Sequence, residues 1–554
     1  MNNRAPIAAL TLAAVAFSSF GCSTESQVRS NGDTIVFHQQ QEPESLNPVI
    51  SNMMATVDAA APILEGLSNY TNELELVPVL AEKIPTVENG LVKQVGDGMV
   101  VTWPLKKGVK WHDGKPFTAE DVKFTFEVLM HPATKVATRQ GYDKITKAEV
   151  LDPHTIRFTY SELYAPHKDL FGTVLPKHKL ASYIADPKGD SINKAPFNRD
   201  PIGTGPFKFK SWVSGDHISY EANADYWRGA PSAKFLKMRI IPDENAAFTL
   251  LKSGELDIYQ SASINQYEAL KKLNHVNVVA VPSLTWEHLD FNLKREVFQD
   301  IRVRRAIAYA INKQQISEKI YHGIYKPAHS DVAPLSWAYN KNIEDRYPYD
   351  PEKSKALLDE AGWKPGVDGI RVKDGERFTI KISTTAGRKP RELTELVLKY
   401  YFKKIGIELL IDNHPGPVLF GAYPDGIIKG GKYDLSMSAW VAGPDPDNLS
   451  LWHSAQTPPN GQNSLWYKNT ELDKLLEQGT KVLEQEKRKQ IYHRTAEILA
   501  DDVPMIPLLY WADVHPVNNR VKNFKPNPSN AGNLWNVYEW RVEEAPAMKA
   551  SKEG

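Results

Sequence analysis

At 554 residues the chain is longer than one hydrophobic core supports, so two or three lobes are expected. Its 42% hydrophobic and 24% charged content is that of a soluble globular protein. Lysine plus arginine and aspartate plus glutamate both number 67, and that balance argues against a nucleic-acid binder, which carries a basic excess, while leaving room for a local charged pocket.

The N-terminus reads as a targeting segment. Arg4 supplies a small positive region, and Ile7–Phe20 is an apolar run of about a dozen residues, short of the roughly 20 that span a bilayer. It ends in Ser18-Ser19-Phe20-Gly21-Cys22, small residues before a cysteine, as a signal peptidase needs. Cys22 is the only cysteine, so no internal disulfide is available. The stretch resembles a bacterial lipobox, with Ser19 where a leucine is usual. The resemblance implies a signal peptide at 1–21 and a lipid on Cys22, followed by a polar, flexible tether to residue 32. A plain secretory signal with an incidental cysteine is the alternative.

The body reads as mixed α/β. Thr34–His38 is a first strand; Gly98–Leu105 is another, with Pro104 suggesting a sheet edge. Thr118 caps a helix whose Val122, Phe126 and Leu129 share one face. Thr155–Tyr160 alternates apolar and polar residues, the period of a half-buried strand. Helices are expected over 302–311, over 391–405 before Gly406, and from Asp350-Pro351-Glu352 to Gly362. Residues 471–500 form one or two long helices, and the tail 543–554 is polar.

Enzymatic signatures are thin. There is no His-Glu-x-x-His and no Gly-x-Ser-x-Gly. The histidines are scattered, and no His/Cys/Asp spacing indicates a metal, so no catalytic residue, metal or cofactor is expected. Gly203-Thr204-Gly205-Pro206-Phe207 is a glycine-rich turn without the lysine of a phosphate loop.

Leu105-Lys106-Lys107-Gly108-Val109-Lys110-Trp111-His112-Asp113-Gly114-Lys115-Pro116-Phe117-Thr118-Ala119-Glu120-Asp121-Val122 resembles the signature of the family 5 extracellular solute-binding proteins. These are the dipeptide, oligopeptide and nickel receptors of ABC importers. Further matches follow in family order: Glu42–Pro48, Glu65-Gly66-Leu67, Leu175–His178, Ile202–Phe207, Asn223–Trp227, Gly254–Ile258, Phe291-Asn292, Val303–Ala306 and Lys404–Ile407. The resemblance implies a periplasmic binding protein-like clamshell of two main lobes plus an inserted smaller domain. Domain I would comprise 33–76, 201–292 and 512–545, domain II 77–200, domain III 293–511, and a polar tail 546–554. Crossings near Phe291-Asn292 and Tyr510-Trp511 would form the hinge.

The family's peptide-binding members neutralise the peptide ammonium with an aspartate three residues after a tryptophan in a domain III loop. Here Trp440 is followed three residues on by Gly443. Three readings stay open: Asp445 takes the role from two positions further on, the amine sits elsewhere, or the solute is not a standard peptide. Asp445-Pro446-Asp447 also reads simply as a turn. Trp440 would be a platform beside the ligand. Trp286, before the hinge, and Glu42, after the first strand, would face the cleft. Arg388 could meet a carboxylate by bidentate hydrogen bonds.

The implied function is to capture a solute, a peptide first of all, and deliver it to an ABC permease with separate ATPase subunits. Nickel chelates, opines, haem and short sugars remain alternatives, as does a sensor or peptide chaperone without a permease. The implied setting is the periplasm, as a monomer held to the membrane by its lipid.

Overall fold

The computed structural model describes residues 33–543 except 52, 186–191, 345 and 530. The targeting segment, Cys22, the tether and the tail from 546 lie outside the described residues.

Three sheets organise the chain. In the first, Thr34–Gln39 pairs in parallel with Phe235–Ile240, followed by His217–Ala222 and Phe207–Val213, both antiparallel. A first strand whose partner lies two hundred positions on makes this body discontinuous in sequence. Phe37, Met238, Tyr220 and Trp540 fill its core, so the C-terminal segment packs here too.

The second sheet is antiparallel: Val92–Val95, Gly98–Pro104, Thr155–Tyr160, Ile145–Asp152. The helix Ala119–Met130 packs on it, over a core containing Trp103, Phe117, Phe158 and Phe171. The strand Gly98–Pro104 is not an edge; it has a neighbour on each side. Pro104 is its last residue, opposite Thr155, so the missing N–H falls where the ladder ends.

The third sheet orders Lys326–Pro327, Met505–Asn518, Val276–Phe291, Leu435–Val441, Thr379–Ser383 and Glu408–Ile411. Its core joins Leu289, Ile307, Leu398 and Met437, drawn from both strands and helices. Val276–Phe291 and Met505–Asn518 run antiparallel over nearly their full length and belong to two bodies. Their 276–282/512–518 half joins the first body, where Ile258 bridges Phe37 and Val517. Their 286–291/505–510 half lies in the third body. Register breaks between Pro282 and Trp286, facing Tyr510–Ala512. Of the two expected crossings, Tyr510-Trp511 faces this break, and Phe291, paired with Leu435, ends the ladder.

Helix ends follow local chemistry. Asp350 accepts the Lys353 N–H at 2.9 Å ahead of the helix Pro351–Glu360, and Gly362 takes φ +88° just beyond it. The 471–500 region resolves into Thr470–Lys481 and Gln485–Asp502. Asn469 caps the first, accepting from the Glu471 and Leu472 N–H groups.

Candidate functional site

A cavity of about 940 Å³ lies where the first and second bodies meet, and Gly443-Pro444-Asp445 of the third body forms part of its wall. Its construction begins at the glycine-rich turn. A Cβ on Gly203 would fall 1.7 Å from Ile63 O, and one on Gly205 2.6 Å from Pro62 O, so only glycine lets these backbones approach. Gly205 N–H donates to Ile63 O at 2.9 Å, and Phe207 N–H to Pro62 O at 2.9 Å. The 105–122 segment clamps the turn from the other side. His112 N–H donates to Gly203 O at 2.8 Å, Gly203 N–H donates to His112 Nδ1 at 3.2 Å, and His112 Nε2–H donates to Gly205 O at 3.0 Å. Held on both sides, the turn delivers the Thr204 hydroxyl to Glu65 Oε2 at 2.8 Å, and its role is structural.

Glu65 is the centre of one end of the cavity. Its carboxylate also accepts from the Tyr226 hydroxyl at 2.7 Å and Trp227 Nε1–H at 3.0 Å. Burial raises its pKa, opposed by these donors and by the charge of Arg228. The Arg228 guanidinium lies 4.4 Å from the Trp227 ring centroid and 5.1 Å from that of Tyr538, and the Lys106 ammonium 5.5 Å from that of Trp227.

The segment Glu65–Tyr70 runs along the cavity wall to an end of opposite charge. There the Tyr70 hydroxyl donates to Asp169 Oδ1 at 2.5 Å. Asp169 keeps solvent access, yet the protein around it desolvates the carboxyl. Desolvation, with repulsion from Asp445, pushes its pKa up to about 6 against the pull of the Tyr70 hydrogen bond. Asp445 is held bidentate by Arg488, with both N–H···O contacts at 2.7 Å. Arg488 is buried and also donates Nε–H to Gly479 O at 2.8 Å.

The residues expected from sequence do not assemble into one site. Asp445 lines the cavity, but Arg488 occupies both its oxygens. Trp440 stands directly opposite Trp286 in the third sheet and packs, half-buried, on a core containing Tyr339, Trp452 and Tyr492. Trp286 is only 1% exposed, its ring tilted against His288 at 4.4 Å, and it packs in that same core and does not line the cavity. Glu42 is taken up within its own body: Oε1 accepts Trp212 Nε1–H at 2.9 Å and Oε2 accepts Gly215 N–H at 3.1 Å. Arg388 is exposed before the helix Lys389–Lys404, makes no ion pair among the described residues, and does not line the cavity. Glu65, Lys106, Asp169, Arg228 and Tyr538 were not anticipated as site residues. Glu65 and Trp227 stood in recognisable motifs, but nothing in their spacing, 162 positions apart, announced that they meet. Among the described residues no group of three or more His, Cys, Asp or Glu is placed to hold a metal ion, and no helix is long and apolar enough to cross a membrane.

Residues 75–462 match the family described as bacterial extracellular solute-binding proteins, family 5 Middle. The chain is 30% identical over 515 residues to the oligopeptide-binding protein AppA of Bacillus subtilis (strain 168), spanning 92% of this chain and 91% of AppA. The solved AppA, in complex with a nonapeptide, superposes with a TM-score of 0.69 at 29% identity, over 92% of this chain and 99% of that one. NikZ from Campylobacter jejuni, in complex with Ni(L-His), gives a TM-score of 0.72 at 27% identity, over 92% and 100%. The ABC transporter-associated periplasmic binding protein DppA from Helicobacter pylori, in complex with the peptide STSA, gives 0.67 at 27%, over 92% and 98%. These neighbours share the clamshell fold.

Proposed function

The chain belongs to the bacterial extracellular solute-binding proteins of family 5, the substrate-binding components of ABC importers, and on that premise we propose that it captures peptides in the 940 Å³ cavity. The observation that carries this reading is the cavity itself, which has aromatic faces, fixed polar groups and both signs of charge on its walls. That is the wall chemistry of a pocket for an amphipathic, doubly charged solute. AppA and DppA hold peptides, whereas NikZ holds a nickel chelate, so the family alone leaves the solute open.

Capture needs no covalent step. The break at Pro282–Trp286 in the paired long strands is the hinge, and Gly443–Asp445 is the edge that the third body brings to the cavity. A solute touching that edge and the opposite wall binds the closed form better than the open one. Moving the equilibrium from 1:99 to 99:1 takes about 5.5 kcal/mol of differential affinity. A few charge-assisted hydrogen bonds at about 1.5–3 kcal/mol each supply it. The closed form then docks on a permease whose ATPase subunits are separate chains. The receptor acts as a monomer outside the cytoplasmic membrane, anchored through lipid on Cys22.

Native mass spectrometry of the body from Ser23 onward, before and after mild unfolding, tests the reading together with small-angle scattering. The expected result is a ladder of co-purified peptide masses, and a radius of gyration that falls when stripped protein is reloaded. A single non-peptide mass or a nickel complex would overturn the peptide reading.

A further inference from the structure

We propose that the cavity is polarised for a zwitterionic peptide of about three to five residues, its carboxylate held by Arg228 and Lys106 and its ammonium at the Asp169 end. The inference rests on the peptide reading above and adds orientation, terminal chemistry and length to it.

The cationic end carries the argument. Among the described residues neither Arg228 nor Lys106 forms an ion pair, although both line a cavity within reach of acidic neighbours. Those neighbours are already engaged. Glu65 is occupied by Thr204, Tyr226 and Trp227, and Glu539 accepts from Asn536 at 3.1 Å and Lys525 at 3.2 Å. The Arg228 guanidinium carbon lies 4.4 Å from the Trp227 ring centroid and 5.1 Å from that of Tyr538, so two aromatic rings flank it. Among the described residues the Tyr538 hydroxyl is the group that competes for its N–H donors, of which there are five, leaving others for an acceptor. A planar cation held in this way, with an ammonium beside it, matches a carboxylate.

The far end has the opposite balance. Arg488 is committed to Asp445, and Lys168 is shared among the carboxylates of Glu88, Asp169 and Asp445. Asp169 and Asp447 form no ion pair among the described residues, and of the two it is Asp169 that lines the cavity. The wall from Glu65 to Tyr70 joins the two ends. Five residue steps span at most about 17 Å. An extended peptide rises about 3.3 Å per residue, so a pentapeptide is near the upper limit. This is shorter than the nonapeptide held by AppA.

The test uses native mass spectrometry of the stripped full body with degenerate peptide libraries of two to nine residues, each offered as free acids, C-terminal amides and N-acetyl forms. The expected result is capture peaking at three to five residues, with free acids retained about 10- to 100-fold more tightly than amides. Arg228→Gln should weaken free acids by the same factor and leave amides unchanged; Asp169→Asn should erase the preference for a free ammonium over an acetyl group. Equal capture of acids and amides by the unaltered protein would overturn the polarity, whatever the variants do. Capture rising steadily to nine residues would overturn the length. Failure to capture any library would sink the peptide reading itself, and this inference with it.

Discussion

The His112 ring accepts from Gly203 N–H through Nδ1 and donates Nε2–H to Gly205 O, an arrangement that only the neutral imidazole can make. Burial, the largest influence, holds its pKa down to about 4 from 6.5. The sign follows from linkage: the stabilisation is complete above pH 6.5, where the unfolded ring is also neutral, and is lost as pH falls toward 4. The gap is worth about 3 kcal/mol. His167 and His515, pushed down to about 4 and about 3 by burial, act in the same direction. Asp58, Asp169 and Asp513, raised to about 6, act in the opposite one between pH 4 and 6, so the global acid profile mixes the two. A nitrogen-15 titration isolates the single ring. It should show the Nε2–H form at about pH 7 and a midpoint near 4. A midpoint at about 6 or above would mean that the clamp on Gly203 tolerates a charged ring, and the structural role given to the signature segment would fail.

At the scale of elements, the turn at Asp445 and the helix Gln485–Asp502 form a unit through one ion pair. Arg488 is 5% exposed, so removing its partner leaves a buried guanidinium unpaired. Asp445→Ala should therefore cost about 3 kcal/mol in urea unfolding, and Arg488→Met in the same chain should recover much of it. A cost below about 1 kcal/mol, with peptide binding abolished, would make Asp445 a solute anchor instead. The contrast shows which parts were legible in the sequence. The helix cap at Asp350, the strand at Thr155–Tyr160 and the terminating Gly362 are decided by neighbours a few residues away, and they stand where local chemistry puts them. Asp445 could be seen to make a turn, but its partner is 43 positions away. Trp286 and Trp440 alternate along strands in a way that suits a core or a cleft equally; their pairing across the sheet decides. Pro104 misleads because a strand's edge and a strand's end impose the same local requirement. Glu65 and Arg228 were hidden for a related reason: the charge of each is visible in sequence, but Trp227 beside Glu65 and Tyr538 beside Arg228 come from distant segments.

For the whole molecule, two long strands continue from one body into the other, and the register break they share at Pro282–Trp286 is where the proposed hinge would turn. Such a receptor gains from being held near its permease. Cys22 precedes the first strand at Thr34 by a segment that spans at most about 40 Å when extended. On the proposed reading, a lipid on Cys22 would keep the receptor at millimolar effective concentration near the membrane, which would shorten the search for a permease without altering the cavity. Lipid adds about 0.8 kcal/mol per buried methylene, so several chains on the proposed Cys22 anchor would hold the body firmly. Cys22→Ser should therefore move the protein from the membrane to the soluble extracytoplasmic fraction. Its peptide affinity should be unchanged, and uptake should fall most at low solute concentration. Fractionation of cells making each form, with labelled palmitate incorporated only into the cysteine form, reads this out directly. A serine variant that stays with the membrane would show that some other contact holds it there.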